Sequence, residues 1–68
     1  MKIVIKVRFN SESPRFETYG LNRYLAYLAS EEGKGGEELY FLVSTKLGIP
    51  QKRIQFVKKD GNDVTLEI

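Results

Sequence analysis

The chain has 68 residues and no cysteine, so it is one small domain near the lower size limit for folding alone, without a disulfide or thiolate-metal staple. Apolar residues make up 41% and charged residues 29%, which suits a folded domain rather than a disordered tail, and no apolar run approaches the roughly 20 residues that span a bilayer. The formal net charge is +2 and histidine is missing, so total charge does not imply a nucleic-acid partner, and the commonest general base and most reactive nucleophile are both lacking.

The first predicted element is a strand. Ile3, Ile5, Val7 and Phe9 alternate with Lys2, Lys6 and Arg8, while Val4 falls on the charged side; this period of two marks a strand with one buried face. The same cations interrupt the apolar residues, so the segment is no signal-peptide core. A reducing, cytoplasmic setting is the expectation. "NSESPR", with Pro14, reads as a loop, and Phe16 to Tyr19 reads as extended chain ending at Gly20.

"LNRYLAYLAS" fits two templates. Leu21, Tyr24, Leu25 and Leu28 sit at helical spacing, while Asn22, Tyr24, Ala26 and Leu28 alternate as in a strand. Pattern and propensity favour helix by a thin margin.

"EEGKGGEELYFLVSTKLGIP" is clearer. Leu39, Leu42, Val43 and Leu47 form one stripe of a helix, widened by Tyr40 or Phe41. Glu37 and Glu38 fall near its first turn and Lys46 in its last, each complementing the macrodipole. Gly48 suits the left-handed position that ends a helix, and Pro50 prevents continuation. Beyond it, Ile54 and Phe56 alternate with Arg53, Gln55 and Val57, and Val64, Leu66 and Ile68 alternate with Asp63, Thr65 and Glu67. With Asp60-Gly61 between them, residues 53 to 68 read as a hairpin.

Few side chains suggest chemistry. Gly33-Lys34-Gly35-Gly36 precedes a helix, where anions bind, but it lacks the spacing and the Ser or Thr of a nucleotide-binding phosphate loop. Glu31, Glu32, Glu37 and Glu38 surround it, so a structural role is expected. The neighbouring glutamates point apart on a helix or strand and are expected to be solvated. Asp60, Asn62 and Asp63 lack the glutamate that closes a calcium loop. No catalytic residue, metal site or cofactor is predicted, and a non-enzymatic module is expected.

The basic residues offer the best lead. Lys2, Lys6 and Arg8 line one face of the first strand, and Lys52, Arg53, Lys58 and Lys59 cluster about the third. Tyr19, Tyr24 and Tyr27 are candidate stacking surfaces near that charge. A sheet bearing basic and aromatic groups is one way small modules hold RNA, and the predicted contact set is Lys2, Lys6, Arg8, Arg53, Lys58 and Tyr24. The plainer expectation is that Asp63 and Glu67 pair with Lys6 and Arg8 across the sheet and keep it solvated. The alternative partner is another protein, held at a sheet edge or by exposed aromatics.

"GKGGEELYFLVSTKLGIPQKRIQFV", from Gly33 to Val57, resembles a segment of the YggU-like family: Gly-Lys-Ala-Asn, then Glu and Leu, a helix closing on Leu-Gly-Val-Pro, a basic pair and a strand. "IKVRFNSESPRFETYG" echoes that family's first strand, its loop with Asn and Ser, and its return to Gly. The chain departs from the pattern in having Ala29-Ser30 for two prolines, Gly35-Gly36 for Ala-Asn, "KKDGND" after the third strand, and no second helix following the last strand. The resemblance implies architecture and no activity. It implies strand for "LNRYLAYLAS", against the narrow helical preference.

The expected fold is α+β in two layers: a mixed four-stranded sheet in the order strand-strand-helix-strand-strand, with one main helix from about Gly36 to Leu47 packed on one face. Its core is expected from Ile3, Ile5, Val7, Ile54, Phe56, Val64, Leu66 and Ile68. Ubiquitin-like β-grasp domains share this order and are the structural alternative. Carriers of that kind end in Gly-Gly and this chain in Glu67-Ile68, so conjugation chemistry is not expected.

Overall fold

The computed structural model describes residues 1–68. Five strands and one α-helix follow in the order β1 (Lys2–Arg8), β2 (Arg15–Gly20), β3 (Arg23–Tyr27), α1 (Gly36–Leu47), β4 (Gln55–Asp60) and β5 (Asp63–Glu67), with a short 3₁₀ turn at Gln51–Arg53. The class is α+β as expected, but the sheet has five strands rather than four, in the order β2-β3-β1-β5-β4. The additional strand is β2, the stretch read as extended chain, which pairs with β3 in a hairpin over residues 15–27. Asn22 turns it with a positive φ of 56°, a conformation asparagine tolerates.

The sheet is mixed because β3 lies parallel to β1 while β5 runs antiparallel on its other side. Register then assigns every side chain to a face. Ile3, Ile5 and Val7 point toward α1, so their partners Tyr24, Ala26, Val64 and Leu66 point there too. This resolves the ambiguous segment: Tyr24, Ala26 and Leu28 share the core parity, with Ala26 and Leu28 buried, whereas Arg23, Leu25 and Tyr27 face away from the helix. A helix over these residues would have forfeited the β1 ladder.

The core comprises Ile3, Ile5, Val7, Ala26, Leu28, Leu39, Val43, Ile54, Val64 and Leu66. Phe9, Phe16, Tyr24, Tyr40, Leu42, Leu47, Ile49 and Ile68 pack around it as half-buried neighbours. Phe16 and Tyr24 stack with centroids 5.0 Å apart. Phe56, expected in the core, is instead 57% exposed. It shares the core parity through Leu66, but it stands on the outermost strand, all six of whose residues are exposed.

Helix α1 keeps its expected limits for the expected reasons. Gly48 adopts φ 69°, and the amides of Gly48 and Ile49 both donate to the Ser44 carbonyl, closing the C-terminus. Leu39 and Val43 are its buried residues. Tyr40 widens the stripe and Phe41 faces solvent.

Candidate nucleic-acid interface and the groove behind it

No helix covers the sheet face opposite α1. Register lays its side chains out in rows across the strands. One row reads Arg15, Tyr27, Arg8 on β2, β3 and β1. The next reads Glu17, Leu25, Lys6, Asp63, and the third Arg23, Val4, Thr65, Lys58. The last pairs Lys2 with Glu67. Val4, Leu25 and Tyr27 are half-buried, so an apolar strip runs beneath cationic side chains.

The Arg15 guanidinium carbon lies 4.0 Å from the centroid of the Tyr27 ring, a cation–π arrangement. The same arginine binds Glu17 at 2.9 Å. Lys2, Lys6, Arg8, Arg23 and Lys58 form no ion pair, because the chain's ion pairs are Arg15–Glu17, Lys34–Glu31 and the N-terminal ammonium with Glu67. The hydrogen bond from that ammonium is the main cause holding the Glu67 carboxyl below its ordinary range. Asp63 stands in register with Lys6 without pairing to it, so the expected cross-sheet neutralisation is incomplete. Lys6 and Arg8, with Asn62 and Asp63, line a polar pocket of about 190 Å³ at the β5 side of this end.

The predicted contact residues are thus divided. Lys6 and Arg8 come together beside Tyr27. Lys2 is on the same face but at the opposite end of β1, and Lys58 is on the β4 edge. Arg53 is exposed in the 3₁₀ turn before β4, beyond the end where Gln55 meets Glu67, and so stands apart from Arg8. Tyr24 is on the reverse face, stacked on Phe16, and does not join the basic row. The tyrosine that does is Tyr27. Arg15, Arg23 and Tyr27 were absent from the predicted set because their face depends on strand parity in 15–28. The signal was present: Ala26 and Leu28 are apolar at the parity of Tyr24, and Arg23 is charged at the other.

The glycine segment lies on the helix side. Gly35 is buried, and a Cβ there would meet Leu28 Cδ1 at 2.6 Å and Phe9 Cε1 at 3.0 Å. Its small size lets the chain pass close to the end of β3 as α1 begins. Gly33 has φ 90°, a conformation that favours glycine. Lys34 turns to Glu31 at 3.2 Å. Glu38, in the first helical turn, accepts hydrogen bonds from the Ala29 amide (2.8 Å), the Ser30 amide (3.0 Å) and Ser30 Oγ (2.6 Å). The Ser30 hydroxyl contributes most to holding this carboxyl below its ordinary range, against the opposing effect of burial. The helix start is thereby tied to the end of β3.

Between α1 and β4 runs an apolar cleft of about 260 Å³, with Phe9, Leu28, Leu39, Tyr40, Phe56 and Val64 among its walls and Lys59 beside them. Gly33, Gly35 and Gly36 also border it. Comparison with models of known protein families, with curated proteins and with solved structures finds no match for this chain.

Proposed function

We propose that the domain is a non-catalytic module that holds single-stranded RNA on the bare sheet face, centred on Tyr27, Arg8, Arg15, Lys6 and Arg23. The observation that carries this reading is the Arg15–Tyr27–Arg8 row, a tyrosine with an arginine in register on each adjacent strand and the Arg15 guanidinium on its ring, with unpaired Lys6 in the next row and Arg23 in the one after. Bases stack on aromatic rings and on guanidinium planes, while cations along the same face track phosphates. The pocket lined by Lys6, Arg8, Asn62 and Asp63 offers two cationic side chains and the Asn62 amide to one phosphate group, against the single Asp63 carboxylate. The half-buried Val4 and Leu25 supply the apolar floor against which an unstacked base sheds water.

An amide-shift titration with an oligouridylate of about six nucleotides, a length within one small module's site size, tests the reading. Shifts are expected at Lys6, Arg8, Arg15, Arg23 and Tyr27, and Tyr27→Ala is expected to weaken binding about tenfold, the lower part of the stacking range. Three phosphate contacts give a slope of log affinity against log salt of about −2. Shifts that bypass this face, affinity indifferent to salt, or an unaffected Tyr27→Ala variant would each defeat the proposal.

A further inference from the structure

We propose that the groove between β4 and α1, on the side of the sheet away from the basic row, receives an extended peptide with an apolar centre and acidic flanks, added as a strand along β4. The inference does not rest on the RNA reading, because it uses the opposite face and the edge of the sheet. Three observations converge on it.

The first is the backbone. β4 ends the sheet and pairs only with β5. No bond outside the regular ladders reaches Gln55–Asp60, so the outward amides and carbonyls of β4 are open to another strand. Edge addition of a peptide uses these groups for affinity and pockets beside them for selectivity.

The second is the cleft that adjoins this edge. Phe56 stands 57% exposed on it, facing Leu39 and Tyr40 of α1 across a trough floored by Val64 and Phe9. Alternate side chains of an added strand point to one face of the sheet. Those on the helix side would enter this trough beside Phe56. Its volume of about 260 Å³ suits aliphatic side chains rather than a large rigid ligand.

The third is charge, which selects the occupant. Lys58 and Lys59 lie in β4, and Lys52 and Arg53 just precede it; none of the four is in an ion pair. Only Asp60 in β4 opposes them. A second copy of the chain pairing through its own β4 would crowd the Lys58 and Lys59 of both copies onto one seam, and the ladder irregularity at Val57 further discourages that match. The features that repel a copy attract a strand flanked by aspartate and glutamate.

The test is an amide-shift titration with the blocked peptide acetyl-Asp-Glu-Val-Ile-Val-Ile-Asp-Glu-amide, beside a control in which the four apolar residues are serine. Saturable shifts at Phe56 to Asp60 and at Leu39 and Tyr40 are expected with the first peptide and not the second. Phe56→Ala and Lys59→Glu should each weaken binding about tenfold, as loss of a central anchor or a complementary charge does. Phe56 is more than half exposed, so its variant keeps the native amide spectrum. Arg8→Glu, on the other face, should leave peptide affinity within about twofold. The proposal fails if no shift develops at about 1 mM peptide, the weak end of specific affinity. It also fails if the serine control binds equally, if shifts fall on the bare sheet face, or if the chain self-associates through β4 to the exclusion of peptide.

Discussion

Gly35 and Gly36 are neighbours of one type with opposite constraints. A methyl group on Gly35 would fall 2.6 Å from Leu28 Cδ1, inside contact distance, whereas nothing stands within 4 Å of the corresponding position on Gly36. Gly36 also opens α1, where alanine is the better helix former. Gly35→Ala is therefore expected to cost about 1–3 kcal/mol through overpacking, and Gly36→Ala to be neutral or to stabilise by up to about 1 kcal/mol. Urea midpoints of the two variants decide it, and equal midpoints would show that the Leu28–Phe9 contact does not constrain Gly35. The sequence disclosed that the cluster leads into a helix. It did not disclose which glycine is obligatory, because the constraint comes from Leu28 and Phe9, just beyond β3 and β1, which only tertiary structure brings near.

At the scale of elements, α1 was legible because its signals are local. Acidic residues at the start, a spaced apolar stripe, and Gly48 before Pro50 all lie within the helix or next to it. Of the β2–β3 hairpin, β2 was legible as extended chain from Phe16 to Gly20, but β3 was not, because its periodicity is ambiguous alone and is settled by the ladder to β1, which is distant in sequence. The two elements meet at Glu38, whose carboxylate takes three hydrogen bonds from Ala29 and Ser30. Its pKa is lowered in the folded state, so its stabilising effect is fully present above the ordinary glutamate value of about 4.3. That effect is lost as pH falls through the lower folded value. Glu38→Gln removes the charge while keeping nearly the same shape. At neutral pH it is expected to cost roughly 1 kcal/mol, a charged hydrogen-bond contribution reduced by solvent screening. The difference from wild type should shrink as acid neutralises Glu38. Denaturant midpoints across acidic and neutral pH measure it, and a constant difference would mean that the charge is not what binds the helix start to β3.

At the scale of the molecule, one dimension explains both the placement of the core and the bare surfaces. Five strands spaced about 4.8 Å apart make a sheet roughly 19 Å across, and a helix with its side chains is about 10–12 Å wide. One helix therefore cannot cover the sheet, and α1 approaches β2 at one edge rather than β4 at the other. Alternation correctly paired Phe56 with Leu66 in facing direction, but direction is not burial: Leu66 lies on an inner strand at 0% exposure and Phe56 on the uncovered edge at 57%. The expectation of a buried Phe56 rested on the alternation it shares with Ile54, which assigns a facing direction and not cover. Leu66→Ala is accordingly expected to cost about 2–5 kcal/mol, a large share of the stability of so small a domain. Phe56→Ala should shift stability by less than about 1 kcal/mol, in keeping with an exposed position. Equilibrium urea unfolding of both variants separates the cases. A midpoint for Phe56→Ala as low as that for Leu66→Ala would place α1 over β4, close the groove, and remove the surface on which peptide binding was inferred.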